Sequence, residues 1–160
     1  MSQQELQVVV DGFHYLEGPR WYKGALWFVD FYTQGVYRVN EERVAEKIVA
    51  VPEQPSGLGW LPDGRMLVVS MKDRKVMRLE ENGELVVHAD IYDHCGGHAN
   101  DMVVASNGNA YVGNFGFDLM GGENYKAAGL ILVKPDGSSQ VVAEGLAFAN
   151  GMVISPDNKT

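Results

Sequence analysis

The sequence contains little cysteine, little positive charge and no long apolar stretch. Its single cysteine, Cys95, cannot form a disulfide within the chain or a multi-cysteine zinc site. Lysine and arginine number 13 against 21 aspartates and glutamates, and the net charge of −8 disfavours nucleic acid and anionic membranes as partners. The longest apolar runs are about five residues, far below the roughly 20 of a membrane helix. Hydrophobic residues nevertheless make up 46% of the 160 residues, as in a globular domain.

Several sequence signals of location and chemistry are also missing. The N-terminus has neither the basic start nor the apolar core of a signal peptide, so we expect a cytoplasmic protein. There is no Gly-x-Ser-x-Gly elbow of a serine hydrolase and no Gly-x-x-x-x-Gly-Lys phosphate loop. A serine hydrolase and a nucleotide-binding protein of the phosphate-loop type are therefore disfavoured.

Short β-rich runs separated by turns dominate the chain, whereas helical periodicity is poor. The predicted strands are Leu6–Val10, Ala25–Val29, Val36–Val39, Lys47–Val51, Met66–Val69, Val76–Leu79, Leu85–Val87, Ala110–Val112, Leu130–Val133 and Gln140–Val142. Turn sequences such as Pro62-Asp63-Gly64 and Ser106-Asn107-Gly108 stand between them. The pattern predicts an all-β fold.

The chain also repeats itself. If Gly24, Gly64, Gly108 and Asn158 are equivalent turn positions, the periods are 40, 44 and 50 residues. This spacing, with about four strands in each unit, is typical of a β-propeller. A β-sandwich with coincidental internal similarity is the alternative.

The repeat predicts blades over about 17–52, 55–90 and 98–146, with a fourth that begins at about 148. We therefore interpret residues 1–160 as the N-terminal part of a single propeller domain. Propellers close with four to eight blades, so the open edges require the missing blades or self-association. A twofold dimer of three-blade halves is one such arrangement, and the oligomeric state is left open.

One polar residue begins the inner strand of each repeat: Glu17, Ser56, Asn100 and Asn150. Because the inner strands of a propeller line its central channel, these side chains are expected to converge on one axis. Carboxylate and amide oxygens are suited to hard divalent cations such as Ca²⁺. In the alternative interpretation, each residue caps only its own turn or strand.

A second polar set, Asp30, Ser70 and Asn114, ends the following strand and is expected at the same mouth of the channel. For Asp30 we favour a structural role in the adjoining loop over support of a metal. The stretch from His94 through Cys95 to His98 lacks a second pair of ligands, so histidines in a loop are favoured over a zinc site.

Three motifs resemble those of the gluconolactonase–regucalcin family: Glu17-Gly-Pro-Arg-Trp, His98-Ala-Asn-Asp101 and Asn150-Gly-Met-Val-Ile-Ser-Pro-Asp157. The resemblance covers almost the whole chain but only about the first half of a family member. It implies a six-bladed propeller with a divalent metal in its central channel. By this resemblance Glu17 and Asn150 bind the metal, and Asn100 is a nearby ligand or substrate contact. The remaining ligand, an aspartate regarded as the general base, is expected beyond Thr160.

The resemblance also implies hydrolysis of a sugar-acid or related small lactone by carbonyl polarisation and water attack. His98, Asn100, Asn114 and Phe115 are the predicted substrate contacts, although many members have arginine at the position of His98. Tyr32, Phe115 and Phe117 form either an apolar wall or core. Calcium is the preferred metal, with Mn²⁺, Zn²⁺ and Fe²⁺ as alternatives. The alternative functions are another metal-dependent esterase or phosphoesterase and a non-catalytic metal- or ligand-binding propeller fragment.

Overall fold

The structure, a computed structural model, describes residues 6–158 and contains three four-stranded antiparallel sheets. The strands are β1 (Leu16–Tyr22), β2 (Ala25–Asp30), β3 (Gly35–Val39), β4 (Ala45–Ala50), β5 (Pro55–Trp60), β6 (Met66–Ser70), β7 (Lys75–Leu79), β8 (Leu85–Asp90), β9 (Ala99–Val104), β10 (Ala110–Asn114), β11 (Ala128–Val133) and β12 (Ser139–Leu146). A 3₁₀ turn, Tyr92–His94, precedes β9. Each sheet pairs its strands in chain order, β1 to β4, β5 to β8 and β9 to β12. This is the meander of a propeller blade, and the predicted all-β fold is confirmed.

The first strand of each sheet lies nearest the common centre. Strand β5 contacts β1 on one side and β9 on the other. Two glycines permit this close approach. A Cβ atom on Gly57 would lie 2.3 Å from the backbone nitrogen of Met102, and one on Gly18, whose φ is +54°, would lie 2.5 Å from the carbonyl oxygen of Ser56. The inner strands are thus held backbone to backbone, which side chains at these positions would prevent.

Two hydrophobic layers join the three sheets. Between the first and second sheets, residues such as Val29 and Val36 pack against Leu58 and Val68. The neighbouring positions of the second sheet point the other way, and this layer contains Leu67, Val69 and Val76 together with Met102, Val112 and Ile131. The alternation has the period of two that strands impose, so the middle sheet is buried on both faces.

Two segments do not form the strands that their sequences suggest. The predicted strand Leu6–Val10 is wrong: it is irregular, and Val10 packs against the cluster that contains Phe28 and Tyr37. A strand requires a hydrogen-bonding neighbour, and no strand among residues 6–158 pairs with it. Residues 149–155 are likewise irregular before the turn at 156–158, so the fourth blade stays a prediction.

His88 on β8 links the second sheet to the third. Its Nδ1 accepts a hydrogen bond from Nη1 of Arg78 at 3.0 Å, and its Nε2 donates to the carbonyl oxygen of Lys134 at 3.2 Å. Burial lowers the pKa of His88, and the positive charge of Arg78 acts in the same direction. The folded protein therefore favours the neutral imidazole.

This burial predicts a loss of stability in weak acid. As the pH falls through 6.5, the unfolded chain takes up a proton at His88 that the folded chain does not bind, so the free energy of unfolding decreases. We expect His88→Gln, which removes the titrating group, to show a smaller decrease between about pH 7 and about pH 5. Urea unfolding of both proteins across this range checks the prediction, and equal slopes would contradict it.

Candidate functional site

Glu17 begins the inner strand of the first sheet. The register of β1 against β2 shifts between Glu17 and Arg20, which marks an irregularity such as a β-bulge near the start of the strand. The side chain is half-buried and lines a cavity of 350 Å³ beside Leu16 and Phe28. Burial raises the pKa of Glu17, the Gly18 N–H opposes this by donating a hydrogen bond, and the negative charge of Asp101 raises it further. Two carboxylates thus act on each other at the centre.

Asn100 joins the third sheet to the segment that follows it. The side chain is 5% exposed, and its Nδ2 donates to the carbonyl oxygen of Ala149 at 3.1 Å. This bond brings the adjacent Asn150, which is exposed, to the same region. A Cβ atom on Gly151 would lie 3.8 Å from Oδ2 of Asp101. The bond thus connects Asn100 to the segment that carries Asn150, and the charge of Asp101 links the same strand to Glu17.

Arg20 and Asp101 form a clamp across the three inner strands, which the sequence did not reveal. Arg20 Nη2 donates to Oδ1 of Asp101 at 2.5 Å and to the carbonyl oxygen of Met102 at 2.7 Å. Its Nε donates to the carbonyl oxygen of Leu58 at 3.1 Å. One side chain of β1 thereby binds β5 and β9. Both residues stand inside the motifs described above, but their pairing spans 81 residues and depends on how the sheets pack.

The second polar set organises loops. The Asp30 carboxylate accepts hydrogen bonds from the backbone nitrogens of His14, Tyr15 and Tyr32 and from Oγ1 of Thr33. Burial acts to raise the pKa of Asp30, but these bonds outweigh it and the pKa is lowered. Oγ of Ser70 similarly donates to Asp73. The structural interpretation of Asp30 is therefore confirmed.

Asn114 has the same role in the third sheet. Its Nδ2 donates to the carbonyl oxygen of Gly129 at 2.8 Å, and its Oδ1 accepts from the backbone nitrogen of Gly116 at 2.9 Å. The residue is 0% exposed, so the structure does not present it to a ligand. Asn114 instead fixes the loop that carries Phe115 and Phe117.

His98 and Phe115 lie together at the start of β9. Their ring centroids are 5.7 Å apart, and the backbone nitrogen of Phe115 donates to the carbonyl oxygen of His98. Nδ1 of His98 is buried without a hydrogen-bond partner, and burial lowers the pKa of this histidine. Phe115 and Phe117 are buried, whereas Tyr32 is exposed. Two of the three residues expected to form an apolar wall, Phe115 and Phe117, are therefore core residues.

The His94–His98 stretch behaves as a loop. Cys95 packs in the core between the second and third sheets, and burial raises the pKa of its thiol to about 12. A protonated buried thiol is a poor metal ligand. Over residues 6–158, no three or more His, Cys, Asp or Glu side chains are grouped to hold a metal ion.

The donors at the centre nevertheless fit a hard cation. Glu17 offers a carboxylate, Asn150 an amide, and Asn100 an amide whose nitrogen donates to the carbonyl oxygen of Ala149. Oxygen donors of this kind suit Ca²⁺, which takes six to eight oxygens. These three residues would supply part of such a shell. None of the helical segments in the described part of the chain has the length and hydrophobicity needed to span a bilayer.

The three four-stranded blades, with oxygen donors on and beside their inner strands, identify the chain as part of a β-propeller with a candidate cation site. Residues 16–160 match the family model described as SMP-30/Gluconolactonase/LRE-like region. The chain therefore belongs to this family, as its motifs indicated. No curated protein matches it.

Solved structures share the fold. A gluconolactonase from Xanthomonas campestris superposes with a TM-score of 0.79 at 19% identity, covering 94% of this chain and 54% of the other. Regucalcin from Agrobacterium tumefaciens, described as a calcium-binding protein, superposes with a TM-score of 0.75 at 20% identity, covering 94% of this chain and 50% of regucalcin. A luciferin-regenerating enzyme superposes with a TM-score of 0.74 at 20% identity, covering 94% of this chain and 52% of the enzyme. The chain thus spans about half the length of these structures, and the likeness establishes the propeller fold.

Proposed function

We propose that the protein that carries this chain is a metal-dependent lactone hydrolase. The proposal is carried by the position of Glu17 on the inner strand β1, where burial and the charge of Asp101 raise its pKa, and by the bond of Asn100 to Ala149, the neighbour of Asn150. Membership of the SMP-30/gluconolactonase family supports lactones as the substrate class. The calcium-binding description of the structurally similar regucalcin supports Ca²⁺ as the first candidate metal.

Glu17 and Asn150, together with Asn100, are the residues of this chain that would hold the cation. A bound divalent cation supplies polarisation of an ester carbonyl and stabilises the negative charge that develops on its oxygen. Glu17 contributes the anionic ligand. Asn100 is oriented by its bond to Ala149, so its Oδ1 is fixed before any ligand arrives. The additional ligand and general base expected beyond Thr160 is part of the same proposal.

His98 and Phe115 define one side of the substrate position. Nδ1 of His98 is buried without a hydrogen-bond partner, so a rotation of the ring that exposes it would let it donate to a ring or exocyclic oxygen of the lactone. A buried polar atom without a partner is costly, so a ligand that supplies one is favoured. Phe115 backs the histidine ring and excludes water from that side.

Metal removal tests the function directly. The full-length protein is treated with a chelator, and hydrolysis of lactones, aryl esters and phosphotriesters is followed before and after addition of Ca²⁺, Mn²⁺ or Zn²⁺. We expect lactone hydrolysis to be lost and then restored by one of these metals. Hydrolysis of phosphotriesters alone would favour the phosphoesterase alternative. Metal binding without any hydrolysis would favour the non-catalytic alternative.

A further inference from the structure

The two ends of the blade array differ in their surface chemistry. The mouth at which β1, β5 and β9 begin carries large apolar side chains that are 44% to 70% exposed, namely Tyr15, Tyr32, Tyr92, Leu119, Met120 and Tyr125. At the opposite end, the turns within each sheet are mostly polar, with Asp63, Glu81, Asn107 and Asp136 exposed and Val44 as an apolar exception. The apolar rim therefore surrounds the end where Glu17 and Asn100 lie.

An aromatic unit made of His98, Phe115 and Phe148 stands inside this rim. The rings of Phe115 and Phe148 are stacked, with centroids 4.2 Å apart and planes 23° apart, and His98 adjoins Phe115. Phe148 adopts a φ of +59°, a conformation that few residues other than glycine, asparagine and aspartate take readily. The surrounding packing therefore outweighs local preference at this position.

Backbone contact keeps this unit in place. A Cβ atom on Gly97 would lie 2.0 Å from the carbonyl oxygen of Phe117, so the loop before β9 packs directly on the loop after β10. Only glycine permits this approach, since any larger residue would separate the two loops. The positions of His98 and Phe115 relative to each other are thereby fixed before a ligand binds.

Several charged groups of the same mouth are already engaged. Asp73 accepts a hydrogen bond from Ser70 and pairs with Lys75, and Asp118 accepts one from the backbone nitrogen of Gly121. Nη1 of Arg74 donates to the carbonyl oxygen of Cys95 and the guanidinium lies over the ring of Tyr92, while its Nε is buried without a hydrogen-bond partner. A polyhydroxylated ring would need many free polar partners, because each hydroxyl buried without one is costly.

We propose that the lactone bound at this mouth carries an uncharged apolar substituent, alkyl or aryl, that packs against the half-buried rings of His98 and Phe148, which the buried Phe115 supports from behind. The exposed apolar rim covers the substituent. The inference rests on the lactone chemistry proposed above and specifies its substrate class. A sugar-acid lactone would instead place its hydroxyl groups against the aromatic rings, where they would lack hydrogen-bond partners.

A substrate series with one ring size tests this inference. The full-length protein is assayed with glucono-δ-lactone, δ-valerolactone and δ-decalactone. We expect kcat/KM for δ-decalactone to exceed both others by about 10-fold or more, the effect of burying two or more methylene groups. A preference for glucono-δ-lactone would overturn the inference while leaving lactone hydrolysis intact.

A pair of variants locates the preference. Phe148→Asn removes the aromatic surface and suits the left-handed backbone, so it is expected to lower the ratio of δ-decalactone to δ-valerolactone kcat/KM by about 10-fold. Trp21→Asn removes an aromatic side chain that is 75% exposed on β1, away from the mouth, and is expected to leave the ratio unchanged. An unchanged ratio in Phe148→Asn would contradict the assigned position.

Binding of non-hydrolysable lactams separates this inference from the proposed function. A δ-lactam with a pentyl substituent and gluconolactam are titrated into the protein by calorimetry. Tighter binding of the pentyl lactam supports an apolar ligand even if no lactone is hydrolysed, in which case only the proposed function fails. Tighter binding of gluconolactam, or no binding of either lactam, overturns the inference.

Discussion

Replacement of Glu17 by glutamine is expected to abolish binding of the divalent cation and lactone hydrolysis together. Glu17 is the anionic donor that this chain contributes to the proposed site, and Asn100 and Asn150 add only neutral oxygens. The amide of glutamine keeps the size of the side chain but loses its charge. Loss of a residue that merely supports a ligand costs 10- to 100-fold in metal affinity, so we expect a loss of about 100-fold or more here.

Calorimetric titration with Ca²⁺ and a lactone assay measure the two effects on the same samples. Glu81→Gln is the matched control, because Glu81 is exposed in the turn between β7 and β8 and lies at the opposite end of the sheets. It makes the same change of charge and is expected to leave both measurements unchanged. If Glu17→Gln retained cation affinity and activity, the assigned centre would be wrong.

Replacement of Arg20 by alanine is expected to produce the largest loss of stability. Arg20 and Asp101 have side chains that are 23% and 10% exposed, so the pair is largely removed from water. Alanine would remove the cationic partner of the Asp101 carboxylate, which would keep a hydrogen bond from the backbone nitrogen of Met102, and would free the carbonyl oxygens of Leu58 and Met102. Breaking a buried ion pair on one side costs about 3 kcal/mol or more.

Urea unfolding compares this variant with two others. Lys126→Ala removes the exposed ion pair with Glu123 and is expected to lower the free energy of unfolding very little, because water and salt screen exposed charges. Arg20→Lys keeps the charge but loses the planar guanidinium, so its loss of unfolding free energy is expected to lie between those of Arg20→Ala and Lys126→Ala. A loss of stability in Arg20→Ala no greater than that in Lys126→Ala would contradict the clamp.

The sheets were accessible from the sequence because their signals are local and repeated. Apolar runs such as Met66–Val69 and Val76–Leu79, with a turn sequence after each, define a strand by its own residues, and the repeat groups them into blades. Leu6–Val10 has the same local signal but no neighbouring strand. A strand depends on its hydrogen-bonding partner, so composition alone predicted it wrongly.

Individual side-chain roles were less accessible for a related reason. The repeat placed Asp30 and Asn114 at one mouth, but it could not show that their oxygens are used by backbone nitrogens of the next loop. Arg20 and Asp101 were visible in two separate motifs, yet their pairing follows from the close approach of the inner strands at Gly57. Residue type and spacing thus indicated the location, whereas packing determined the partners.

Glu17, Asn100 and Asn150 are expected to surround one cation. The most direct measurement is anomalous diffraction from crystals of the full-length protein grown with Mn²⁺, supplemented by crystals with Ca²⁺. We expect one strong anomalous-difference peak at the centre of the blades, with oxygens of Glu17 and Asn150 about 2.0 to 2.6 Å from the ion. A fully occupied ion elsewhere, with Glu17 and Asn150 turned away from each other, would contradict it.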